Sequence, residues 1–221
     1  MRRILRENGL TIVLLLLFLL FWAGHSVVGH REFNNEQREH GEAEISYGAY
    51  LTTGHFWEAT GENWESEFLQ MFGYVILTAM LYQKGSAESK KLDEPEPVDR
   101  DPRASRRKSK LPGPVRRGGL ALKLYENSLS LAFLLLFLVS ISIHAIGGAA
   151  EYRAEQASHG ESAGGSVLAY AGTSRFWLES LQNWQSEFLA IASMVVLSIF
   201  LRQRGSPESK PVDSPHDETG M

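Results

Sequence analysis

The chain has 221 residues, a formal charge of −4, 43% hydrophobic residues and no cysteine. The lack of cysteine excludes disulfides, thiolate metal sites, iron–sulfur clusters and cysteine nucleophiles. The mild average composition hides sharp segregation, because the apolar residues gather into stretches long enough to cross a bilayer.

Arg2, Arg3 and Arg6 precede the first stretch, which runs from about residue 10 to 28 and reads LTIVLLLLFLLFWAGHSVV. A helix of about 20 residues rises roughly 30 Å, the thickness of the hydrocarbon core. A basic start followed by leucines also resembles a cleaved signal peptide. An equivalent stretch at 128–147 is internal, however, and both are preceded by Glu-Asn (Glu7-Asn8 and Glu126-Asn127), so the first is expected to be retained.

Beyond the first stretch, His25, Gly29, Glu32, Glu36 and His40 are spaced 4, 3, 4 and 4. That spacing places them on one face of a helix continuing several turns outward, with an end expected near Gly41. The motif F-W-x5-N-W-x-S-E-F-L follows. In it Trp57, Gly61, Trp64 and Phe68 form one helical stripe, and Asn63 and Glu67 are an i,i+4 pair beside it. Tryptophans at this point suit an outer-interface aromatic belt leading into a span at 64–82. Glu67 stands just before the apolar run, where a carboxylate is costly unless it faces protein, water or a partner. The unit closes with Q-x-G-S-x-E-S-K (Gln83 to Lys90), in which Gly85 suits a helix C-cap.

Residues 91–118 are rich in Pro, Gly and charge and are expected to form a disordered linker. Their basic block at 103–110 reads first as a topology determinant, with contact to anionic lipid headgroups as the alternative. Nucleic-acid binding is not expected, because neither a folded basic domain nor stacking aromatics accompany the run.

Residues 119–210 repeat residues 1–90. About half of the positions from Phe56 to Lys90 are identical to those from Phe176 to Lys210 at a constant offset, which marks a duplication. The second copy carries His144, Gly148, Glu151, Glu155 and His159 on its first helix, and its helix is expected to end near Gly160. It then has Trp177, Leu181, Trp184 and Phe188 as the stripe, Asn183 with Glu187 as the pair, a span at 184–201, and Gly205 in the closing motif. Residues 211–221 read as a disordered tail.

Lys and Arg are concentrated before the first span, between the second and third, and after the fourth, while the two remaining loops are rich in glutamate. The positive-inside rule therefore puts both termini and the linker in the cytoplasm. The expected architecture is all-α, with four transmembrane helices arranged as two tandem parallel-repeat hairpins.

Three uses of the shared histidines and acids remain open. A His25–Glu67 or Asn63–Glu67 contact can fix helix packing; His and carboxylate on successive turns can hold a divalent metal such as zinc or iron; or the same groups can relay protons. No cofactor motif, Walker loop, dinucleotide fingerprint, G-x-S-x-G or H-E-x-x-H occurs, so a non-enzymatic protein is expected. Four helices are few to enclose a pore, and a homo-oligomer would complete one.

The duplicated N-W-x-S-E-F, followed by a span and by Q-x-G-S-x-E-S-K, resembles a family of bacterial membrane proteins of unknown function. The resemblance covers both units and leaves out the linker and tail. It implies a multi-pass protein of the bacterial inner membrane and supplies no activity, substrate or site.

Overall fold

The computed structural model describes residues 2–105, 110–159 and 165–220, and every regular element among them is helical. Eight α-helices follow one another: α1 (Arg2–Glu39), α2 (Tyr47–Tyr50), α3 (Gly54–Met80), α4 (Gly113–Arg117), α5 (Gly119–Glu126), α6 (Ser128–Ser158), α7 (Val167–Ala171) and α8 (Ser174–Phe200). Three of them, α1, α6 and α8, are long and apolar enough to cross a membrane. At most 22% of the apolar window of each is buried, as is compatible with a membrane protein. α3 matches α8 in length, at 27 residues, but falls short in apolar content. Glu58, Glu62, Glu65 and Glu67 crowd its first half.

Local chemistry sets the helix ends. Gly41 adopts φ +74° and closes α1 with paired bonds, from its own N–H to the Arg38 carbonyl at 3.1 Å and from Glu42 to Gln37 at 2.8 Å. This is a Schellman cap, at the glycine where the helix was expected to stop. Gly160 lies outside the described residues. Ser46 and Ser166 cap α2 and α7 through their hydroxyls, and Thr173 does the same for α8.

The Glu-Asn pairs mark breaks. Asn8 interrupts α1 with φ −128°, ψ 17°, and its amide donates to the Ile4 carbonyl at 3.1 Å. Asn127 separates α5 from α6 at φ −113°, ψ 11°, donating to Lys123 at 2.9 Å. In each case the side chain offers the previous turn a partner other than the helical ladder.

The chain divides into two compact units. The first comprises residues 1–61 and 143–172, and the second residues 62–142 and 173–221. In the first unit Tyr50, Phe56, Ala145, Ala149 and Tyr170 are buried. Phe56 meets Trp22, His25, Tyr50 and Trp57 with ring centroids 5.3–6.1 Å apart. Asn34 pins the segment before α2 to α1 by exchanging two hydrogen bonds with Ile45, at 2.9 and 3.0 Å. The start of α3 runs against α6 with almost no side chain between the backbones. A Cβ on Gly54 would stand 2.6 Å from the Gly147 carbonyl, and one on Gly147 would stand 2.5 Å from the Glu58 amide. Small residues at such crossings let helix backbones approach closely.

In the second unit α3 and α8 share polar contacts. Gln70 donates to the Glu187 carbonyl at 3.0 Å, and Ser86 meets Ser198 at 2.9 Å. The closing motifs differ from the expected caps: α3 and α8 end at Met80 and Phe200, so Gly85 and Gly205, both at φ +86°, belong to separate turns beyond the helices. Ser89 accepts from the Gln83 amide at 2.8 Å and Ser209 from Gln203 at 2.9 Å, so the serines of Q-x-G-S-x-E-S-K fold the turn on itself.

Two segments read as disordered carry structure. The described part of the linker forms 3-10 turns at Pro97–Asp99 and Pro102–Ser105 as well as α4, with Glu96 accepting from the Lys91 amide at 2.7 Å. The tail supplies carbonyls to two cations: Pro211 and Ser214 to Arg202, and Pro215, His216 and Glu218 to Lys210. Composition registers the lack of apolar residues and misses this backbone capture of buried charge.

Candidate functional site

The first unit gathers buried polar side chains around two tyrosines. Tyr50, fully buried on α2, places its hydroxyl where a Cβ on Gly29 of α1 would stand, and shares a 3.1 Å hydrogen bond with His55 Nδ1. Tyr170, on α7, places its hydroxyl where a Cβ on Gly148 of α6 would stand. Gly29 and Gly148 are the glycines of the two shared helix faces, and their role is to admit a phenol.

Beyond that the two sites differ. Tyr170 donates to Glu58 at 2.8 Å, and a Glu58 carboxylate oxygen and a ring nitrogen of His144 lie within 4.8 Å of one another. Glu58 is 7% exposed and His144 is fully buried. A phenol, a carboxylate and an imidazole are thus gathered in a region of low dielectric. Such a group can hold or pass a proton, and the carboxylate and imidazole are ligand types that zinc accepts. Among the described residues the hydroxyl of Tyr50 meets His55 rather than an acid. Burial above all, and then the negative charges of Glu151 and Glu36, push its pKa up to about 12.

The residues expected from the sequence are distributed unevenly. His25 is half-buried, with its ring edge-on to Phe56 at 6.1 Å, while His144 is sealed in. Glu151 accepts from the His55 amide at 3.1 Å. Glu32 and Glu36 are exposed, as are His40, Glu155 and His159. The rings of His40 and His159 stand perpendicular with centroids 6.4 Å apart. Trp57 lies at the surface and donates to the Leu51 carbonyl at 3.0 Å, beside a shallow apolar pocket lined by Ile143, Ile146 and Ala150.

In the second unit Asn63 and Glu67 are exposed, and Glu187 is half-buried. Asn183 bonds to Glu62 rather than to the Glu187 one turn along. The fully buried acid is Glu65, which was not expected. It accepts from Ser180 at 2.6 Å and from the Trp184 indole at 3.2 Å. Trp64 is half-buried, and Trp177 lies 45% exposed with its ring against Trp184 at 6.2 Å.

Four buried polar residues therefore escaped the sequence reading, and two of them for one reason. Glu58 aligns with Leu178 and Glu65 with Gln185, so a search for what both copies share passes over them. Tyr50 and Tyr170 were visible in principle, since each stands six residues before a shared Phe-Trp.

The chain belongs to the family described as a domain of unknown function (DUF6766), whose model matches residues 1–221. No curated protein and no solved structure matches it.

Proposed function

We propose that this chain is a multi-pass integral membrane protein of two tandem two-span units, non-enzymatic, which acts through helix packing and the binding of a partner. The observation that carries this reading is the tyrosine set into a helix glycine, Tyr50 on Gly29 and Tyr170 on Gly148. Together with the close approach of Gly54 and Gly147, it is the small-residue packing that membrane helices use when apolar burial cannot hold them together. In this reading α3 is the fourth span and the twelve Lys and Arg between residues 84 and 123 stay in the cytoplasm of a bacterial cell.

The lack of native cysteine makes the test clean. Single cysteines at positions 36, 103 and 155 are labelled in intact cells with an impermeant maleimide. Four spans predict labelling at 36 and 155, with 103 reactive only after permeabilisation. Labelling of 36 and 103 from the same side would mean that α3 does not cross, and the four-span reading fails.

A second reading, the handling of protons or a metal ion, is favoured by the Glu58–His144–Tyr170 contacts. It predicts a pH-dependent flux in liposomes that Glu58→Gln abolishes. Under the packing reading the same substitution lowers detergent stability and leaves flux at the empty-liposome level.

A further inference from the structure

We infer that His40 and His159 form a binding site for a divalent transition-metal ion, with zinc as the reference ion, just beyond the C-terminal ends of α1 and α6. The two rings stand face to edge with centroids 6.4 Å apart. Both are exposed, so an ion reaches them from solution without crossing apolar protein.

The tautomer of His40 is fixed. Its Nδ1 lies 2.8 Å from the Glu36 carbonyl, which can only accept, so Nδ1 carries the proton and Nε2 presents its lone pair. Metal-bound imidazoles ordinarily have this support, the second ring nitrogen donating to a backbone carbonyl or carboxylate. Two imidazoles on one zinc ion at about 2.1 Å hold their centroids roughly 5–6 Å apart. Rotation of two exposed side chains covers the difference. Water or a nearby carboxylate such as Glu36 or Glu155, one turn back on each helix, would complete a tetrahedron. The site uses neither Glu58 nor His144, and it stands whichever side of the membrane the linker occupies.

The test uses untagged full-length protein in detergent, titrated with Zn2+ in competition with a chromophoric chelator. One ion per chain is expected at this site. His40→Ala and His159→Ala should each weaken binding by about tenfold or more, while His216→Ala, in the tail, leaves it unchanged. Since both residues are exposed, the variants should keep the helical circular-dichroism signal of the parent. A Cu2+-loaded sample should give electron paramagnetic resonance coupling to two imidazole nitrogens, falling to one in either single variant. Equal Zn2+ affinity in the parent and the double variant would overturn the assignment, as would a copper spectrum unchanged by both substitutions.

Discussion

The hydroxyl of Tyr50 occupies the space that a side chain on Gly29 would need, so this part of the α1–α2 contact depends on the absence of a methyl group. Gly29→Ala must then displace a fully buried ring, and overpacking of this kind costs about 1–3 kcal/mol. The clash is with the oxygen, the far end of the side chain. Tyr50→Phe should therefore recover part of the loss, although it also removes the bond to His55. A double-mutant cycle by thermal unfolding in detergent checks this: the two changes together should cost less than their sum. Strict additivity would mean that the ring backbone, and not the hydroxyl, sets the distance.

Tyr50 also titrates late. With its pKa raised to about 12 from the usual 10, the neutral phenol is favoured in the folded state. Its contribution to stability is complete below about pH 10 and lost as pH rises through about 12. Absorbance of the tyrosinate band should show a late-titrating component that Tyr50→Phe reduces by one group. Glu151→Gln, by deleting the neighbouring charge with the larger effect, should bring that group's titration to lower pH.

Glu65 is buried against Ser180 and Trp184, both of which donate to the same carboxylate oxygen. A glutamine, which stands at the aligned position 185, keeps an acceptor there, whereas leucine does not. Glu65→Gln should change stability by less than about 1 kcal/mol, and Glu65→Leu should cost about 1–3 kcal/mol by orphaning the buried Ser180 hydroxyl and the half-buried Trp184 indole. Unfolding followed by tryptophan fluorescence separates the two. Equal stability of the variants would show that these bonds contribute nothing net.

The helices were legible in the sequence because their signals are local. The 4, 3, 4, 4 spacing carried α1 past the apolar stretch to Gly41, and the Asn-Trp motif carried α8 into its apolar run. What one copy does alone was not legible. Comparing the copies selected Glu67 and Glu187 and discarded Glu58 and Glu65, yet the discarded pair are the buried acids. Gly85 was misread for a different reason. A glycine after an apolar helix suggests a cap, but the three serine and glutamine bonds around it build a turn of their own several residues later.

The two closing lysines show the same divergence. Lys90 lies near the surface and pairs with Asp99 at 2.7 Å. Lys210 is 1% exposed, and its ammonium donates to the carbonyls of Pro215, His216 and Glu218 at 2.7–3.1 Å. Burial holds its pKa below the ordinary lysine value, so the charge is costly there and the carbonyls offset that cost. The tail so gathered reaches the first turn, where Thr219 accepts from the Gly85 amide at 2.8 Å and Gly220 donates to Ser86 at 2.9 Å. Lys210→Met should release it, raising amide hydrogen exchange at Gly85 and Gly220 by about fivefold or more. Lys90→Met should leave both amides as protected as in the parent. If Lys210→Met also leaves exchange unchanged, the Arg202 bonds to Pro211 and Ser214 are the fastener, and the ammonium is only a passenger in the turn.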